Sequence, residues 1–187
     1  MKRLAVVALS ALMSVNAFAL FSETEPNDTR ATADTVIYNL RITPPNAEVG
    51  VLNLAQNDSD FFKIRLEAGD WLTAITFPIA TNYTAPDTVM ALFDDTNNTA
   101  IVWNDDAGSG FGSAIRWQAD RSGDFYIAIT GYHAGSQSSL NFYEGATHNA
   151  TGGYILTVSV VPVPEPASMI ALGTGLVGLA ALRRRKK

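Results

Sequence analysis

The polar and apolar positions of this chain fall into three regimes. A run of apolar residues from Leu4 to Val15 opens it, a long middle alternates in short bursts, and 16 uncharged residues from Ala167 to Leu182 come near the end. In the middle, FFKIRL puts Phe62, Ile64 and Leu66 on one side and Phe61, Lys63 and Arg65 on the other, and WLTAITF and YILTVSV alternate likewise. That is the period of a strand with two unlike faces. Nine strands are expected: Thr35 to Tyr38, Val49 to Leu54, Phe61 to Leu66, Trp71 to Phe77, Val89 to Phe93, Ile101 to Trp103, Ala114 to Ala119, Phe125 to Thr130 and Tyr154 to Val161. Asn, Asp, Gly, Ser and Pro punctuate them, and no internal window carries a useful helical period. The fold class implied is all-β, an antiparallel β-sandwich or jelly roll of eight or nine strands. Trp71, Thr73, Ile75 and Phe77 share a side that this reading assigns to the core. The stretch from Gly131 to Gly153 reads as a long polar connection before the last strand.

The two ends have other work to do. MKRLAVVALSALMSVNAFALF has basic Lys2 and Arg3, an apolar run too short to span a membrane, and small Ala17 and Ala19 around Phe18. This is the layout of a signal peptide read by the Sec export machinery, cut after Ala19. Residues 1–19 are therefore assigned to export, 20–161 to one domain, and 162–187 to a C-terminal signal. At about 24 Å as a helix, the final apolar run is slightly short of a hydrocarbon core. The block from Arg183 to Lys187 completes it as a membrane-spanning segment with its C-terminus inside.

Charge sharpens this division. Of 13 Lys and Arg, seven sit at the two ends, whereas all 18 Asp and Glu lie between Glu23 and Glu165, so the exported region carries a formal charge of −12. A surface of that sign disfavours nucleic acid. With no cysteine there is no disulfide, thiolate metal site or thiol nucleophile. Only His133 and His148 are present, neither in H-E-x-x-H spacing, and no G-x-S-x-G occurs. A non-enzymatic role is expected; a hydrolase using two carboxylates is the weaker alternative.

Oxygen ligands concentrate in two places. Glu23, Glu25, Asn27 and Asp28 fall within six residues, and Asp58 and Asp60 open a strand. Together they could complete a Ca2+ site of six to eight oxygens; the alternative is that they cap turns. Asp94, Asp95, Asn104, Asp105 and Asp106 sit in FDDTNNT and WNDDAGSG and read as hairpin turns. Tyr132, Phe142 and Tyr143, in the long connection, are candidates for stacking on a glycan, with Tyr132 and Tyr143 as the contacts; the alternative is that these aromatics pin down the loop.

Two resemblances organise these observations. SETEPNDTRATADTV, DSDFFKIRLEAGDW, LFDD, WNDDAG and SGDFYIAIT, in this order, resemble the bacterial pre-peptidase C-terminal domain, a small β-sandwich. The resemblance implies calcium ligation by Glu23, Glu25, Asn27, Asp58 and Asp60, with Asp28 as a further ligand. The end of the chain, VPEPAS followed by GTGLVGL and RRR, resembles the PEP-CTERM sorting signal of Gram-negative bacteria. It implies recognition by an exosortase, cleavage near Pro164, Glu165 and Pro166, and the apolar run with Arg183, Arg184 and Arg185 as a transient inner-membrane handle. The destination implied is the cell surface or an extracellular polysaccharide matrix. A glycan-binding module is the second functional reading.

Overall fold

The structure, a computed structural model, describes residues 19–36, 47–79 and 85–163. The apolar leader up to residue 18, Pro164, Glu165, Pro166, the run expected to span the membrane and Arg183, Arg184 and Arg185 lie outside these residues, as does the second half of the strand expected at Thr35 to Tyr38. No helix among the described residues is long and apolar enough to cross a membrane.

Ten strands and one short helix are described: β1 (Ala19–Phe21), β2 (Asp34–Thr35), β3 (Ala47–Leu54), β4 (Ser59–Leu66), β5 (Trp71–Pro78), β6 (Thr88–Asp94), β7 (Val102–Asn104), β8 (Ala114–Gln118), β9 (Gly123–Gly131), α1 (Leu140–Glu144) and β10 (Gly152–Val161). They form two five-stranded sheets, ordered β1-β3-β10-β5-β8 and β2-β4-β9-β6-β7. The expected sandwich is present, and its interior strand pairs are antiparallel. Both N-terminal edge strands depart from that pattern: β1 pairs with β3, and β2 with β4, in parallel. The N-terminal segment thus starts on the edge of one sheet and crosses to the edge of the other.

Alternation decides what the sheets bury. Leu52, Leu54, Phe62, Ile64, Leu66, Leu72, Met90, Leu92, Phe125, Ile127, Tyr154, Leu156 and Val158 meet between the layers. On β5 the core side is Leu72, Ala74 and Thr76. This corrects the assignment of Trp71, Thr73, Ile75 and Phe77, which form the outer face. Phe77 is exposed, and Trp71 lies under the Arg116 guanidinium at 4.4 Å, a cation–π contact. Both sides of β5 contain large apolar residues, so periodicity identified the strand without choosing its face.

The long connection forms a third layer. Leu140, Phe142 and Tyr143 of α1 bury against Phe61, Val89, Phe93 and Ala128 on the outer face of the second sheet. That face must therefore be apolar too, and every residue of β6 is buried. Ser59 Oγ donates to the Tyr143 carbonyl at 2.7 Å, and Leu140 N–H to the Asn98 carbonyl at 2.8 Å. Gly131, at the end of β9, accommodates this layer, since a Cβ there would come within 2.4 Å of His148 Nδ1.

At the end of β6, the hairpin reading of FDDTNNT holds for Asp94. Its Oδ1 accepts the N–H groups of Thr96 and Asn97 at 2.9 and 2.6 Å, and its Oδ2 accepts Asn97 Nδ2 at 2.8 Å and Arg121 Nη2 at 2.5 Å. Burial opposes ionisation, but the bonds from Asn97 and Thr96 outweigh it and hold the carboxyl below the usual range. Asn104 Oδ1 likewise accepts Ala107 N–H and Ala114 N–H, at 2.8 and 3.0 Å.

Asp94→Ala should lower the stability by about 2–3 kcal/mol, or roughly 5–10 °C in Tm, because it strands the turn donors and Arg121. A depressed carboxyl stabilises above its unfolded value of about 3.9, and this is lost only as pH falls from there through the lower folded value. The difference between wild type and variant should thus be flat from pH 5 to 8 and shrink below about pH 4 in thermal melts.

Candidate metal centre

Two chain crossings meet at one end of the sandwich. One is the segment after β1, with Glu23, Glu25, Asn27 and Asp28, as it passes from the first sheet to the second. The other is the turn from β3 to β4, which ends at Asp58 and leads into Ser59 and Asp60 at the start of β4. Parallel pairing of β1 with β3 brings the first crossing over the second: Glu23 Oε1 accepts Asn53 N–H at 2.8 Å, and Phe61 N–H donates to the Asn27 carbonyl at 3.0 Å. The five acids of the expected set come together here, and Asn27 is tied to them by its N–H on Glu25.

The carboxylates fall into two overlapping groups. One oxygen each of Glu23, Glu25 and Asp60 lie within 4.8 Å of one another, and so do oxygens of Glu25, Asp28 and Asp58. Glu25 belongs to both. Some of this oxygen is used structurally: Glu25 Oε2 accepts Asn27 N–H at 3.2 Å, Asp58 Oδ2 accepts Ala55 N–H at 2.8 Å, and one Asp60 oxygen accepts the Tyr154 hydroxyl. Turn capping explains those atoms. It does not explain Glu23 Oε2, Asn27 Oδ1 and Asp60 Oδ1, which are buried without any hydrogen-bond donor. Asn27 and Asp60 are both 0% exposed.

Such an arrangement is electrostatically costly as it stands. Burial, followed by repulsion from Glu23, holds the Asp60 carboxyl above the usual range. Burial is also the first cause of the upward shifts of Glu23, Glu25 and Asp28, with Glu25 adding repulsion at Glu23 and Asp58 at the other two. A cation would reverse these costs, and a donor set made only of oxygen suits a hard one. The cleft above the cluster is lined by Glu23, Glu25, Asp28, Asn53, Ala55, Gln56, Asn57 and Asp58.

A third acidic group was not legible in the sequence. Asp87 lies with Asp105 and Asp106, one oxygen of each within 4.8 Å. The turn reading of Asp105 and Asp106 missed Asp87 because it stands alone before β6. Gln137 Nε2 donates to Asp105 Oδ2 at 3.1 Å, tying this group to the third layer.

The expected glycan platform is corrected at Tyr143. Tyr132 is 54% exposed, but Tyr143 is 1% exposed, with its ring against Phe93 and Phe142 and its hydroxyl donating to the Gln137 carbonyl at 3.1 Å. It serves as core for the third layer. Nothing in the NFYE string distinguishes that role from an exposed one.

Comparison with known proteins adds an address. Residues 162–186 match the PEP-CTERM protein-sorting motif. The chain thus carries a signal that implies an exported protein, recognised by an exosortase and held transiently in the membrane before processing. No curated protein matches the sequence. The sandwich is similar to the periplasmic inhibitor of g-type lysozyme from Aeromonas hydrophila, at 13% identity over 77% of this chain and 99% of that one, with a TM-score of 0.46. It is also similar to the pre-peptidase C-terminal domain of collagenase from Bacillus anthracis, at 15% identity over 68% and 94%, with a TM-score of 0.44.

Asp60→Asn removes one buried like charge and retains an acceptor for Tyr154. In metal-free buffer near neutral pH the variant should melt about 2–5 °C above wild type. A lower Tm in chelator would contradict the electrostatic description of this cluster.

Proposed function

We propose that this is a non-catalytic exported protein, processed by an exosortase and delivered to the cell surface or extracellular polysaccharide matrix, where the sandwich serves as a structural or adhesive component. The observation that carries this reading is the PEP-CTERM motif at residues 162–186, starting one residue after β10 ends at Val161. The tail is a handle for delivery; it confers no activity of its own. Removal of the leader after Ala19 is part of the same route.

Calcium is the cofactor of this reading, bound by Glu23, Glu25, Asn27, Asp28, Asp58 and Asp60. The three buried oxygens without donors support it, as does the exclusively oxygen donor set. The ion would fasten the crossing after β1 onto the turn before β4, joining the two sheets at one end. Its role is structural, because Asp60 and Asn27 lie too deep to meet a substrate.

Two measurements test the two parts separately. Mass spectrometry of the protein secreted by its native host should find no peptide from the Arg183 to Lys187 block and a C-terminus near Pro164, Glu165 and Pro166. Extracellular protein that retains Lys187 would contradict processing. For the ion, dissociation constants of roughly 0.1–1 mM are common in extracellular modules. At 10 mM Ca2+ this corresponds to about 1.4–2.7 kcal/mol, or roughly 4–8 °C in Tm. Wild type should show that rise, and Asp60→Asn should not.

A further inference from the structure

Glu48 is the second residue of β3, and the burial pattern of that strand turns it to the core side, in line with Gly50, Leu52 and Leu54. It is 4% exposed. Its Oε2 is buried without a partner, and no described residue donates to its carboxylate or pairs with it. Its neighbours across the sheet are Ala19 on β1 and Val158 on β10, neither of them charged. Burial alone raises its pKa to about 7. A buried carboxylate with no donor destabilises a fold, and an apolar residue here would cost nothing comparable.

The register of β1 supplies a reason for Glu48. Ala19 stands opposite Glu48 and Leu20 opposite Val49, and the Ala19–Leu20 bond is the one at which the leader is expected to be cut. In the uncut chain the Leu20 nitrogen is a neutral amide. Hydrolysis adds water across that bond: Ala19 departs with a carboxylate, and Leu20 keeps the nitrogen as an α-amine, largely an ammonium at neutral pH. Neighbouring strands lie about 4.8 Å apart, so the new cation arises within reach of one glutamate side chain on the adjacent strand. We propose that Glu48 is the receiving site for the α-ammonium of Leu20, and that their ion pair seats β1 on its sheet once the leader is removed. This rests on the reading that the leader ends at Ala19.

The pair belongs to the cut chain alone, because the cation does not exist before cleavage. Its partner contact is already in place. The Phe21 ring packs over Gly50, where a Cβ would come within 2.7 Å of it, and meets Phe62 edge-on at 5.5 Å. An ion pair at Leu20 would fasten the start of a strand whose other end leads directly into Glu23 and the acidic crossing.

The test uses mature protein from the exporting host, as wild type and as Glu48→Gln. Mass spectrometry identifies the N-terminal residue, and 13C reductive methylation of the amines lets NMR follow the α-ammonium through its titration. The expected result is a Leu20 N-terminus whose proton affinity is about tenfold higher in the native than in the urea-unfolded protein, with the difference lost in Glu48→Gln. If the variant does not accumulate, the native-to-unfolded difference in wild type decides. A different N-terminal residue would overturn the leader reading and the pair together. A Leu20 terminus that titrates alike in native and unfolded wild type, or alike in wild type and Glu48→Gln, would overturn the pair and leave the leader reading standing.

Discussion

The last strand of this domain lies in the middle of its sheet, and much else depends on that placement. β10 pairs with β3 from Gly152 to Ser159 and with β5 from Tyr154 to Val161. Neither half of the first sheet can close until the chain has been made and exported through Val161. The sorting signal begins at residue 162. Only Pro162 and Val163 stand between Val161 and Pro164, a reach of about 10 Å at full extension. The sandwich therefore ends almost against the sorting motif in the sequence.

The opposite terminus is governed by charge. The exported region is strongly acidic, and five of its carboxylates, the fully buried Asp60 among them, gather where the N-terminal segment crosses from one sheet to the other. Burial and mutual repulsion push their proton affinities up together. Hydrophobic contact between β3, β10 and β5 holds the sheet regardless, but the segment from β1 through Val36 has fewer apolar anchors, chiefly Phe21 and Val36. Seating that segment thus turns on electrostatic partners. In the reading proposed above these partners are supplied outside the cytoplasm: a divalent cation at the crossing and a new α-ammonium beside Glu48.

The sequence made the sandwich legible because most of its strands have one core face and one wetter face. Phe62, Ile64 and Leu66 alternate with Lys63 and Arg65, and the period alone places them. It failed where both faces are apolar. β5 offered two plausible core sides, and Leu140, Phe142 and Tyr143 lay in a polar, glycine-rich stretch too short for a helical period to register. The parallel pairing of β1 left no local trace, since three residues following an apolar leader read as the end of that leader. For the candidate metal centre, the clustering of acids along the chain identified the six residues. The missing donors at Glu23, Asn27 and Asp60 are three-dimensional facts, as is the company Asp87 keeps. The sorting tail was the most readable part, because proline, apolar length and a terminal cation block each act locally.

The central claim is that the tail is a temporary handle and that the sandwich works outside the membrane. Fractionation of the host with and without its exosortase tests this most directly. The account predicts that the protein is found at the surface or in the matrix of the intact host and accumulates in the inner membrane, with Lys187 retained, when the exosortase is deleted. Equal distribution in the two strains would contradict it.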